Sequence, residues 1–157
     1  AMVTYVGQNA GAKRMDRIKS GMRAAVLISL ITSVVIAVAM LLFGRGILGA
    51  FISREEPEKF VQTLAVAYRY LAVMSLFLPI LYLLHITRSA VQGMGNTFLP
   101  MLSGIAEFFM RTFSALILPR LFRENGIFFA EIMAWVGADI VLVISYFYVS
   151  RKKFPSQ

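Results

Sequence analysis

The stretch Ala24–Phe43 reads AAVLISLITSVVIAVAMLLF, twenty residues without a single charge. At about 1.5 Å of rise per residue, a helix of this length crosses the roughly 30 Å hydrocarbon layer of a bilayer. Its polar members are Ser29, Thr32 and Ser33, whose hydroxyls can bond back to helix carbonyls. A helix inside a soluble protein seldom stays apolar on every side for so long, so the stretch predicts a membrane span.

The rest of the 157-residue chain follows from that reading. It is 59% hydrophobic and only 15% charged, too few charges to clothe a soluble globule of this size. The apolar content excludes disorder, and the lack of cysteine excludes a disulfide-stapled domain. Three further spans are expected, near 70–87, 98–119 and 126–150. The second carries Pro79 in its middle and His85 near one end. Proline inside a helix removes a hydrogen bond and crowds the preceding turn, so a kink is expected there. Pro79 is also a hinge candidate, with a static kink the plainer reading. Between Arg45 and Arg69 lies the longest connection, expected to be an external loop with an interfacial helix at Ile47–Ile52. Gly93–Asn96 reads as a tight turn, and Arg120–Asn125 as a short polar connection. The fold class is thus all-α, a polytopic helical membrane protein of four spans, with Ala1–Val6 reading as the end of a fifth helix. That beginning suggests a piece of a larger protein; a processed N-terminus is the plainer alternative.

Charge supplies the orientation. Lys13, Arg14, Arg17, Lys19, Arg23, Arg88, Arg151, Lys152 and Lys153, against Asp16 alone, fall on one side of a four-span layout. The opposite side holds Arg45, Arg54, Lys59, Arg69, Arg120 and Arg123 against Glu55, Glu56, Glu58 and Glu124. The basic side is expected in the cytoplasm, with the C-terminus. The net charge of +8 therefore calls for no nucleic-acid partner; the expected partner is the lipid bilayer.

Little points to catalysis. One histidine and no cysteine make a poor metal site, and the glycine pairs at 44/46 and 93/95 lack the sequel of a phosphate-binding loop. No enzyme activity, cofactor or metal is expected. The informative residues are the ionisable ones at membrane depth. Ser103, Glu107, Arg111 and Ser114 recur at helical spacing and line one stripe, which should face helices or water rather than lipid. Glu107 and Arg111 stand four apart, within reach of an ion pair. The pair either fixes helix packing, the plainer reading, or handles protons or substrate. Glu131 reads as a rim residue near the external end. Asp139 lies deeper with no basic residue four positions away, and is the better candidate for an unusual carboxyl. Its plainer role is as an interhelical partner of Arg88 or Arg111. Gly7 and Gly11 match the small-residue spacing of paired helices, but at a helix end, where the match is weak.

Several stretches resemble one family. Val6-Gly7-Gln8-Asn9-Ala10-Gly11-Ala12, followed by Asp16-Arg17-Ile18 and Gly21, resembles a cytoplasmic loop of the multidrug and toxic compound extrusion (MATE) transporters. Arg88–Thr97 with Pro100 resembles the turn after their tenth helix, and Glu107 with Arg111 the acid–base pair of their eleventh. Trp135, Gly137 and Ala138 lie in what would be the twelfth. The resemblance implies two six-helix bundles around a central cavity, with this chain running from the end of helix eight through helix twelve. It also implies export of organic, often cationic compounds in exchange for protons or sodium ions, from the plasma membrane, with the N-terminal bundle as partner. Sodium-coupled members have an acid in the tenth helix, whereas 70–87 has none, which favours protons. The rivals are a flippase-like transporter of lipid-linked sugars and a non-transporting four-helix membrane protein or truncated remnant. Reporter domains fused after Lys19 and after Glu56 should report opposite sides of the membrane; matching reports would overturn the topology.

Overall fold

A computed structural model describes residues 1–53 and 56–154, the side chains of Glu124 and Asn125 excepted. Among the described residues every regular element is helical: α1 (Met2–Gly11), α2 (Met15–Phe51), α3 (Pro57–Leu76), α4 (Leu78–Gly93), α5 (Phe98–Phe122) and α6 (Glu124–Lys153). Helices α2, α5 and α6 are each long and apolar enough to cross a membrane, and α3 with α4 qualify together as one span bent by 49°. The outer surface is correspondingly oily, with Leu27, Leu42, Phe43 and Phe108 exposed. A helix satisfies its own backbone polar groups, which is what hydrocarbon surroundings require. Inside it, Thr32 and Ser33 donate their hydroxyls to the carbonyls of Ile28 and Leu30, both at 2.8 Å.

Two expected boundaries are corrected. The segment 45–69 is not a loop: α2 continues to Phe51 and α3 starts at Pro57, where a proline at the first helical position gives up no needed hydrogen bond. At 37 residues α2 is roughly 55 Å long, so it projects well beyond the hydrocarbon layer, where a helix tolerates charges as easily as a loop does. Arg54 and Glu55 of that segment lie outside the described residues. The connection at 120–125 is also shorter than expected. Helix α5 runs through Pro119 to Phe122, and the chain reverses at Arg123, whose φ is 53°. The side chains of Glu124 and Asn125 lie outside the described residues. A Cβ on Gly126 would collide with the Leu118 backbone, so glycine allows this tight α5–α6 hairpin.

The bend at the end of α3 has a local cause. Pro79 offers no N–H to the carbonyl of Ser75, and the helix is interrupted at Phe77, two residues earlier. The Phe77 N–H is held between the carbonyls of Val73 and Met74, at 3.3 and 3.2 Å.

Packing is organised around α4, which touches α1, α2, α5 and α6, while α5 lies along α6 and α3 along α2. One core cluster, at the end of the bundle where α1 meets the last turns of α4 and α6, joins Val6, Ala10, Ile18, Val91, Met94, Val149 and Phe154. A second, beside the bend, joins Leu84, Trp135, Ala138 and Leu142, with Phe77, Ile80 and Leu81 against it. The first cluster needs close backbone approach. A Cβ on Gly93 would lie 2.7 Å from the Val3 carbonyl oxygen and 2.8 Å from the Val6 Cβ. Gly93→Leu should therefore lower stability by about 1–3 kcal/mol through overpacking, read as a lower unfolding midpoint in detergent. An unchanged midpoint would contradict the packing described.

Candidate functional site

Four ionisable groups form a chain across three helices. Arg88 is on α4, Glu107 and Arg111 on α5, and Glu131 on α6. Arg88 Nη2 donates to Glu107 Oε2 at 3.0 Å and reaches Ser103 Oγ at 3.4 Å. Arg111 Nη2 donates to Glu107 Oε1 at 2.9 Å and pairs with Glu131 Oε1, also at 2.9 Å. Each oxygen of Glu107 thus meets a different guanidinium. Ser103 and Ser114 are buried on the same stripe, as their spacing predicts, with Ser103 Oγ donating to the Pro100 carbonyl at 2.7 Å.

The sequence foresaw the Glu107–Arg111 pair, because four residues make one helical turn. It did not foresee Arg88 on Glu107, a contact between positions 19 apart that exists only once α4 packs on α5. Glu131, read from the sequence as a rim residue, is the partner of Arg111, a contact made by the α5–α6 hairpin. The signal that could have found it is the short connection, which forces the two helices antiparallel and side by side.

Asp139 stands apart. It is 7% exposed on α6, and neither carboxyl oxygen has a hydrogen-bond partner among the described residues. The alternative reading, a pairing with Arg88 or Arg111, is not what the structure holds: both guanidinium groups are engaged by Glu107. Arg88 nevertheless keeps one buried N–H, at Nε, without a partner among the described residues. Arg88 and His85 are both within electrostatic reach of Asp139. His85 is exposed, with its Nδ1 2.8 Å from the Leu81 carbonyl oxygen. Asp139 lies beside a shallow surface groove of about 370 Å³ lined by Ile80, Val136, Ile140, Val143 and Ile144, with Ile140 and Ile144 exposed and both Asp139 carboxyl oxygens buried beneath it. Ile80 follows Pro79 directly, so the bend forms part of the wall. Among the described residues no three His, Cys, Asp or Glu side chains gather in a way that could hold a metal ion.

The two loop motifs meet at the end of the bundle. Gly7 packs against the α4 C-terminus, where a Cβ would sit 3.5 Å from the Gly93 carbonyl oxygen. Asn9 is buried, donating its side-chain amide to the Tyr5 carbonyl at 2.8 Å, while its own carbonyl accepts the Arg14 N–H at 2.8 Å. Gln8 accepts the Ala12 N–H at 3.1 Å, closing α1. Gly11 has nothing near enough to need glycine for space. In the second turn, Gly95 has a φ of 83°, and Asn96 Oδ1 accepts the Leu99 N–H at 3.0 Å, capping the start of α5. The C-terminal end of α6 closes over this turn: Lys153 Nζ donates to the Met94 carbonyl at 2.6 Å.

With this geometry in view, the chain compares clearly with one known group. The MatE family model matches residues 1–117. The chain belongs to that family, and the protein is a multi-pass helical membrane protein of a transporter class. The match takes in both loop motifs, Arg88, Glu107 and Arg111; Glu131 and Asp139 lie beyond it. No curated protein and no solved structure matches the chain.

Glu107 is the hub of the ion chain, so Glu107→Gln should deprive Arg88 of its anionic partner and turn an amide N–H toward one of the two guanidinium groups, costing about 1–3 kcal/mol. Glu131→Gln should cost less, because Arg111 keeps Glu107. Unfolding midpoints of both variants in detergent check the order, and a larger loss at Glu131 would contradict it.

Proposed function

We propose that this chain is the part of a MATE antiporter from the end of helix eight through helix twelve. In this reading it works with an N-terminal bundle to export organic, often cationic compounds from the cytoplasm across the plasma membrane. Protons enter in exchange, and the bundles rock against each other to alternate access.

The observation that carries the proposal is a charge imbalance. Arg88, Glu107, Arg111 and Glu131 are two cations and two anions joined in one chain, and they balance. Asp139 is the surplus charge, buried beneath a shallow apolar groove without a hydrogen-bond partner among the described residues. A carboxylate in such surroundings is costly as an anion and tolerable when it carries a proton or faces a cation. One group that accepts either a proton or an organic cation, but not both together, is the minimum an exchanger needs. The groove walls are apolar and suit the hydrocarbon part of such a substrate. The ion chain holds α4, α5 and α6 in place around that carboxyl. Pro79, as hinge, lets α4 change its angle where Ile80 meets the groove.

The test uses everted vesicles carrying the whole transporter, this chain together with the helices that precede it in the proposed reading. A fluorescent organic cation should move when a pH gradient is applied. Asp139→Asn should remove the pH dependence and at least tenfold of the exchange rate while protein levels hold. Glu107→Gln should lower protein levels more than the rate per molecule. Sodium-driven, pH-independent movement, or full exchange by Asp139→Asn, would overturn the proposal.

A further inference from the structure

A groove of about 760 Å³ runs between α2 and α6, apart from the ion chain and the Asp139 groove. It lies at the end of the bundle where Lys153 meets the Met94 turn, the end that carries the basic excess. Its body is apolar: Val26, Leu27 and Leu30 on α2 face Tyr146 and Phe147 on α6. Its mouth is basic. Lys19 and Arg23, one turn apart on α2, stand opposite Arg151 near the end of α6. None of these three cations forms an ion pair among the described residues, and no acidic side chain lines the groove. All three are exposed, as are Leu27 and Phe147.

We propose that this groove is a binding site for an anionic phospholipid of the cytoplasmic leaflet. The headgroup phosphate sits among Lys19, Arg23 and Arg151, and an acyl chain lies along Leu27, Leu30 and Phe147. The order of the parts is what selects this occupant. The cations sit at the aqueous end of two membrane helices, and the apolar walls continue from them toward the bilayer centre. A phospholipid has the same polarity along its length. A soluble anion would leave the apolar walls bare, and a neutral lipid would leave three cations without a counter-charge. Basic pockets between membrane helices on the cytoplasmic side suit anionic headgroups for this reason. The volume falls within the range of about 300–1,000 Å³ common for ligand sites.

The experiment purifies the whole transporter of the proposed reading, this chain with the helices that precede it, in a mild detergent and titrates it with phosphatidylglycerol or phosphatidylcholine, reading bound lipid by native mass spectrometry. Phosphatidylglycerol should be retained and phosphatidylcholine lost. The triple variant Lys19→Gln, Arg23→Gln, Arg151→Gln should bind phosphatidylglycerol roughly a hundredfold more weakly, each basic group near an anionic headgroup being worth about fivefold. A control with the same charge loss elsewhere at that end, Lys13→Gln, Arg17→Gln, Lys152→Gln, should stay within about threefold of the wild type. Leu27→Trp keeps every charge but fills the groove, and should also weaken retention. Helical content and elution volume confirm that each variant is folded; if the triple variant is not, Arg151→Gln alone should show the fivefold loss. Equal retention of phosphatidylcholine, equal losses in the triple variant and its control, or a Leu27→Cys cross-link showing another helix or a second copy in the groove would each overturn the proposal.

Discussion

Glu107 lies between two guanidinium groups, and the arrangement of half the bundle follows from that. A charge at membrane depth needs a partner, because hydrocarbon offers no water to solvate it. Arg88 comes from α4 and Arg111 from the next turn of α5, and Arg111 in turn holds Glu131 of α6. Each link joins a different pair of positions, so sliding or rotating any of the three helices would strand a charge. Apolar contacts alone would not impose that, since a leucine facing lipid and a leucine facing another helix differ little in energy. The pairs are only partly enclosed, with the Arg111 side chain 45% exposed, and their contribution is to register more than to total stability.

The polar ends of the bundle complement this. Gly7 and Gly93 let α1 and α4 approach backbone to backbone, and the turn that follows is held by its own N–H groups and by Lys153. Positions near 7, 94 and 153 in the chain thereby become one structural unit. Three basic residues in the last turn of α6 also oppose the negative end of its dipole. The local resemblances noted along the sequence are therefore parts of a single junction.

The long apolar runs were legible because crossing a bilayer demands them, and 24–43 left no other reading. The pairing of Glu107 with Arg111 was legible because it is made within one helix. What escaped was whatever depends on packing between helices: Arg88 on Glu107, Arg111 on Glu131, and the solitude of Asp139, which follows from both arginines being taken. The continuity of 46–51 with α2 and the helical state of 57–69 escaped for another reason. Charges and glycines there look like a loop, yet a helix continuing past the hydrocarbon layer keeps its hydrogen bonds and gains from its neighbour. Tyr68 donates to the Leu41 carbonyl at 2.7 Å, and the Arg45 guanidinium stands 4.7 Å over the Tyr68 ring. The position of the kink was legible from Pro79; that the helix would be interrupted at Phe77 depends on how the preceding turn finds substitute acceptors.

The kink and the lone carboxyl belong together. Phe77 and Ile80 pack against the Leu84–Trp135–Ala138–Leu142 cluster, so both sides of the bend bear on the turn of α6 that carries Asp139. Ile80 is also a wall of the Asp139 groove. Because proline has removed a hydrogen bond from this point of the helix, changing the bend angle costs less here than elsewhere in the span. Any such change alters the space beside Asp139 before it alters the ion chain, whose nearest member on α4, Arg88, is tied to α5. In the proposed reading, the segment at the bend yields while the ion chain ties the far end of α4 to α5 and α6, with the surplus charge at the border between them.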